Sequence, residues 1–362
     1  MPQFEIGLQR LANQQIAQPK FLHPHQVVQW LGAVQAQDYL GALWAIGLRT
    51  PGATEQSIEQ ALAEKTIVRT WPMRGTIHFV AATDIRWMLE LLTPRVVQRS
   101  KGRLAQLGLD AMTISASATV VANALRGGNQ LTRSELYALL EQAQIATDGQ
   151  RGIHILGQLA HHLLICFGSR VDKQPTFVLF DEWVPDAKSL PRDEALAMLA
   201  LRYFTGHGPA TVYDFMWWSG LTAADARAGL ATVAAQLGSE RRGTQEYYYA
   251  QDSPAASSGL LDTFLLPPFD EFLLGYRDRS AVLDPQYNTS VVPGSNGIFN
   301  PIVVIDGHVV GTWKRVLKRD TVTISFSLFP ISSNDAHVPA LTSAAERYGH
   351  FVGKTVQITT FS

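Results

Sequence analysis

The sequence predicts an α+β protein of three tandem winged-helix units with a β-rich C-terminal part. Apolar residues recur at helical spacing in pairs of segments, and each pair is followed by short apolar runs of strand length. This helix, helix, strand-pair order comes back about every 90 to 100 residues, a weak internal repeat. After the third pair the chain reads mostly as strands, with Asp306-Gly307 a strong two-residue hairpin turn.

The first unit (1–115) opens with a helix over 24–34, where Val27, Val28, Leu31 and Val34 share one face. A second helix over 55–65 carries Ile58, Ala61 and Leu62 on one side. Residues 67–80 read as extended, bending at Met73-Arg74-Gly75-Thr76, and a helix over 84–92 ends against Pro94. The second unit (116–190) starts at Thr132-Arg133-Ser134-Glu135, a capping box ahead of Leu136, Leu139 and Leu140. Another helix runs from Gln150 through His161, with strands at 165–169 and 176–180. In the third unit (191–325) Gly208-Pro209-Ala210-Thr211 leads a helix over 212–218, Gly220 breaks it, and Thr222-Ala223-Ala224-Asp225 caps the next. This unit also takes in strands at 247–250, 264–266, 302–305 and 309–313, and a Ser/Ala loop at 252–259. A final helix over 338–348 and strand over 355–360 make up the remainder, 326–362.

Composition narrows the functional classes. Of 362 residues, 46% are hydrophobic and 17% charged, which is ordinary for a globular chain and rules out bulk disorder. A lone cysteine, Cys166, excludes an internal disulfide framework and fits a reducing compartment. The N-terminus has no basic segment followed by an apolar one, and no run reaches the ~20 apolar residues of a membrane span. The expectation is a cytoplasmic protein with no membrane partner. Cys166 has no cysteine partner, and His154, His161 and His162 lack a zinc-binding arrangement, so no metal is expected. Nor is a nucleotide cofactor, because the Gly-x-Ser-x-Gly, Walker A and Rossmann patterns are missing.

The net charge of −1 argues against a strongly basic nucleic-acid binder, yet charge is unevenly spread. Between Lys65 and Arg103 lie eight Lys/Arg against Asp84 and Glu90, and Lys314, Arg315, Lys318 and Arg319 form a second cluster. Two basic patches facing one groove can neutralise several phosphates; two solvated faces explain the same counts.

Two segments carry candidate chemistry. Gln35 and Gln37 cannot share a target on a helix, but on an extended segment they lie on one side and can grip the same object. On residues alone they read first as helix-end capping and interdomain hydrogen bonding. Arg69-Thr70-Trp71-Pro72-Met73-Arg74 sets an aromatic ring between two arginines, a pattern for phosphate contact with stacking that an ordinary hairpin also produces. The mixed charges of 270–280 suggest an internal salt-bridge network.

Taken together, the stretches 31–38, 69–78 and 269–279, with Asn300-Pro301 through Gly311-Thr312-Trp313-Lys314-Arg315, resemble the winged-helix DNA glycosylases of the AlkZ/YcaQ type, in order and over almost the whole chain. The resemblance implies three winged helices packed in a C-shape around duplex DNA. It implies monofunctional hydrolysis of the N-glycosidic bond of N7-alkylated purines, bulky adducts and interstrand crosslinks included, without extensive base flipping. The family's catalytic Gln-x-Gln falls on Gln35 and Gln37, with Asp38 a possible electrostatic auxiliary; the branch with Asp at the second position is the more distant one. Arg69, Arg74, Lys314 and Arg315 are the expected DNA contacts, and the DNA-approaching hairpin falls within 302–315. The partner is double-stranded DNA carrying alkylated purines, met at the nucleoid by a monomer, since a C-shaped grip needs no second copy. The competing reading is a non-catalytic winged-helix regulator or architectural factor, the commoner use of such units.

Overall fold

A computed structural model describes residues 5–171, 173–252, 263–294, 297–330 and 337–361. It is a mixed helix-and-sheet protein in which one topology occurs three times. First come helices Pro24–Leu31, Tyr39–Leu48 and Glu55–Ala63, with a short strand Val34–Gln35 after the first and a hairpin Ile67–Met73/Thr76–Ala81 at the end. The short strand pairs the second hairpin strand, giving the order short, second, first. Residues 111–179 repeat the plan with helices Ala111–Leu125, Arg133–Gln142 and Arg151–His161, short strand Leu131–Thr132, and hairpin Ile165–Val171/Gln174–Leu179. Residues 192–250 repeat it again, the short strand reduced to one bridge between Ala210 and Tyr248.

Local signals placed several elements. The Thr132–Glu135 capping box is formed, Gly220 ends its helix in the left-handed region at φ 74°, and Thr222 caps the next helix. Asp306 and Gly307 both have positive φ, as do Arg74 and Gly75, so each hairpin closes on a two-residue turn. The expected helix over 24–34 stops at Leu31, because Gly32 at φ 77° turns the chain into the strand Val34–Gln35.

Other expectations needed correcting. Helix Ile85–Gln106 runs through Pro94 rather than ending there, since Trp87, Met88, Leu91 and Leu92 are buried in the main core and Leu104 in that of the second repeat. Helix Tyr39–Leu48 was missed: it is apolar on every side and has no amphipathic period to detect. Of the strands assigned to the third unit, 247–250 stays in the hairpin of the third repeat, while 264–266, 302–305 and 309–313 belong to a separate five-stranded sheet in the order Thr355–Phe361, Thr321–Leu328, His308–Leu317, Ile302–Ile305, Thr263–Leu266. The boundary drawn at 325/326 therefore cuts a strand, and that at 115/116 cuts helix Ala111–Leu125. Apart from Asp252, the Ser/Ala loop at 252–259 lies outside the described residues.

Packing puts the first repeat in the middle. One face of its small sheet shares a core with the five-stranded sheet and helix Val338–Val352, through Trp44, Trp313, Tyr348 and Phe351. The other joins helix Ile85–Gln106 and the third repeat through Val68, Met73, Leu199 and Trp218. The 270–280 segment does hold a buried ion pair. Arg49 meets Asp270 in a two-bond fork, both bonds 2.9 Å, which pins the end of helix Tyr39–Leu48 to the segment that follows strand Thr263–Leu266 of the C-terminal sheet. Among the described residues no single helix is long and apolar enough to cross a membrane.

Candidate active site

Gln35 and Gln37 meet. The Gly32 turn sets residues 34–35 in an edge strand, so side chains two apart project to one side. Gln35 is buried and its Nε2 donates to Oε1 of the exposed Gln37 at 2.9 Å. The bond occupies the Gln35 amide nitrogen as a donor and the Gln37 amide oxygen as an acceptor, so the Gln37 amide nitrogen is not used in it. Ala36 between them is held by its own N–H to the Ile77 carbonyl and by its carbonyl, which accepts from Arg69 Nη2, both at 2.8 Å.

Behind Gln35 stands a row that sequence reasoning did not single out. Gln35, His78 and Thr70 are successive cross-strand partners and so share one face of the sheet. His78 is fully buried, and its Nδ1 lies 3.0 Å from the Thr76 carbonyl. A carbonyl only accepts, so Nδ1 carries the proton and Nε2 is a bare acceptor. Burial, with the Arg74 charge second, pulls the His78 pKa down to about 3, so the ring is neutral at physiological pH. His78 Nε2 and Thr70 Oγ1 are buried without a hydrogen-bond partner. The signal that finds them is the pairing register, which no single-strand pattern contains.

Asp38 has a different position from the glutamines. Its Oδ1 caps helix Tyr39–Leu48 by accepting from the Gly41 N–H at 2.7 Å, and it lies 3.7 Å from Arg315 Nη2. It thus anchors the chain just after the pair. Arg315 also lies over Tyr348, 5.4 Å from the ring centroid. Next to Asp38, Tyr39 donates to Glu59 at 2.7 Å, and Arg170 reaches across from the second repeat to the same carboxylate at 3.3 Å.

The expected DNA-contacting cations divide into two groups. Arg69 is engaged: it holds Ala36, and its guanidinium lies 4.6 Å from the Phe167 ring centroid and 5.3 Å from that of Tyr39. Burial lowers its pKa to about 10, which keeps it charged at neutral pH. Arg74, at the hairpin turn, donates to the Trp217 carbonyl at 3.3 Å and packs against Gly220 of the third repeat. Lys314 is exposed, as are Lys318 and Arg319 at the far turn between His308–Leu317 and Thr321–Leu328. Exposed Val316 and Leu317 flank that turn, and Lys354 donates to the Arg319 carbonyl beneath it. The hairpin within the expected 302–315 segment turns at Asp306-Gly307, and the turn that carries Lys318 and Arg319 lies just beyond that segment. Among the described residues no three His, Cys, Asp or Glu side chains come together so as to hold a metal ion.

Comparison with known proteins places this geometry. The structure superposes on that of the Streptomyces sahachiroi DNA glycosylase AlkZ with a TM-score of 0.81, covering 98% of each chain at 24% identity, a match of fold. In sequence the chain is 26% identical over 326 residues to an interstrand DNA cross-link repair glycosylase of Streptomyces sahachiroi, covering 84% of this chain and 87% of that one. The profile of the AlkZ-like DNA glycosylases matches residues 28–351, from the helix before the glutamine pair to the helix over the C-terminal sheet, and the chain belongs to that family.

Proposed function

We propose that this DNA glycosylase excises N7-alkylated purines by hydrolysis of the N-glycosidic bond, with Gln35 and Gln37 as its catalytic residues. The observation that carries the reading is the 2.9 Å bond between a buried and an exposed glutamine on one strand edge. An amide pair has no proton to trade near neutral pH, so it suits a reaction that needs little acid or base. Alkylation at N7 makes the purine a cationic leaving group, and bond cleavage leaves an oxocarbenium-like sugar to be met by water. The amides orient that water and set their dipoles against the developing charge. Asp38, occupied as a helix cap, acts by holding the pair in place.

The three repeats are read as winged-helix units packed in a C-shape around the duplex, centred near 24–81, 111–179 and 192–250, with the C-terminal sheet as a fourth part. Helix, short strand, helix, helix and hairpin, with the short strand against the second hairpin strand, supports this. The free hairpin, with Lys314 along its strand and Lys318 and Arg319 at its tip, is read as the phosphate-contacting one, while Arg69, Arg74 and Arg315 shape the site through their protein contacts. The cross-link repair name of the relative extends the lesion class to bulky adducts and interstrand crosslinks. We take the enzyme to act as a monomer in the cytoplasm, at the nucleoid.

The test is release of free base from duplexes carrying 7-methylguanine, a bulky N7 adduct or an N7–N7 crosslink. The expected product is an abasic site in an unbroken strand. Release from none of the three overturns the reading, and strand cleavage by a lyase step overturns its monofunctional part.

A further inference from the structure

Glu271 lies outside the glutamine pair, yet Trp218 connects it with the chain that leads into Gln35. Its side chain is 1% exposed, and one oxygen, Oε2, takes two partners: Trp218 Nε1 donates to it at 2.9 Å, and His207 Nε2 lies at 3.2 Å. The surroundings are fixed as well. Tyr276 donates to the His207 carbonyl at 2.5 Å, and Gln14 Nε2 reaches the Glu271 carbonyl and the Tyr276 hydroxyl. Tyr203 and His207 rings lie 5.1 and 5.3 Å from that of Trp218.

The far end of the Trp218 indole meets the chain just before the glutamines. A Cβ on Gly32 would come 3.2 Å from Trp218 Cη2, so the ring bounds the space in which the left-handed Gly32 turn is made. That turn delivers Val34 and Gln35 into the sheet. In the preceding helix of the third repeat, Gly206 lets helix Arg192–His207 approach the Trp30 carbonyl, where a Cβ would come within 2.7 Å. A buried carboxylate with its Oε1 left without a hydrogen-bond partner is a costly group to keep for packing alone.

We propose that Glu271 is a positioning residue for the glutamine pair, acting by hydrogen bond through Trp218 on the Gly32 turn. It touches neither substrate nor reacting atoms. The inference rests on Gln35 and Gln37 being the catalytic pair, and a double-mutant cycle separates the two claims.

Single-turnover excision of 7-methylguanine and duplex Kd are measured for wild type, Gln37→Ala, Glu271→Ala, Glu271→Gln and Gln37→Ala/Glu271→Ala. Glu271→Ala is expected to slow excision roughly 30-fold with Kd within about threefold of wild type. Glu271→Gln keeps a carbonyl acceptor for Trp218 and is expected to recover most of the rate. In the Gln37→Ala background, removing Glu271 costs little more, because the group being positioned has gone. Full multiplication of the two single losses, or an equal loss in Kd and rate, overturns the proposal. If Glu271→Ala does not fold, Glu271→Gln and Trp218→Phe carry the same cycle: rate loss for Trp218→Phe alone, merging with that of Gln37→Ala, supports it, and independent losses sink it. Wild-type excision by Gln37→Ala would instead remove the catalytic assignment itself, an outcome visible before Glu271 is considered.

Discussion

Two hairpins of this molecule carry basic residues at or beside their turns, and they end in opposite situations. The Ile67–Met73/Thr76–Ala81 hairpin turns at Arg74-Gly75 against the third repeat, with Arg74 bonded to the Trp217 carbonyl. The His308–Leu317/Thr321–Leu328 hairpin turns in the open, with Lys318 and Arg319 exposed and Val316 58% exposed. In sequence both look like nucleic-acid probes. In the fold the first is a brace for the strand that carries Gln35, and the second is free to meet a phosphate backbone. The same residue type serves structure or binding according to what its turn meets.

Between the two hairpins, the largest expected effect comes from blunting the free turn. Replacing Val316, Leu317, Lys318 and Arg319 by serine should weaken duplex binding roughly 30-fold or more at about 0.1 M salt and reduce the salt slope by about two, one counterion term per lost cation. Melting temperature should hardly move. An unchanged salt slope would put the phosphate contacts elsewhere and dissolve the contrast.

The docked hairpin should instead show itself in stability. His78 is neutral in the fold, with its pKa depressed to about 3, whereas the unfolded ring titrates near the ordinary histidine value of 6.5. Between those values the unfolded state binds the extra proton, so its contribution to stability is complete above about pH 6.5 and is lost as pH falls towards 3, at up to ~1.4 kcal/mol per pH unit. Denaturant unfolding at several pH values should show this slope, and His78→Gln should remove one proton's worth of it. An equal acid slope in the variant would mean that His78 is accessible to protonation in the fold.

Smaller still is Arg74→Ala, expected to lower stability by about 1 kcal/mol while leaving the DNA salt slope unchanged. A slope lower by about one at full stability would make Arg74 a phosphate ligand and reverse the comparison. Lys314→Ala, on the free hairpin but away from its tip, should cost about threefold in affinity with a slope change of at most one.

The sequence carried much of this, unevenly. Elements fixed by local chemistry were legible: the Thr132 capping box, the Gly220 stop, the Asp306-Gly307 turn and the helix pairs of each repeat. What depended on distant pairing was not. The strand Thr263–Leu266 finds Ile302–Ile305, and Thr321–Leu328 finds Thr355–Phe361 in parallel, across gaps of chain that no local pattern reports. At the site the glutamines were visible as a motif, but His78 and Thr70 join them only through register. Arg69 is held partly by Ala36 of its own repeat and partly by Phe167 of the second, and Arg74 is held by the docked third repeat. A basic residue's neighbours are a tertiary fact, and charge counted along the chain does not contain it.

The central claim is that the bonded glutamine pair, not the basic hairpins, performs the chemistry. Single-turnover excision of 7-methylguanine from duplex DNA, at protein concentrations saturating for each variant, tests it most directly. The account predicts a rate loss of about 100-fold or more for Gln35→Ala/Gln37→Ala, with the serine-substituted hairpin variant close to wild type once bound. A double glutamine variant that excises at the wild-type rate would contradict it.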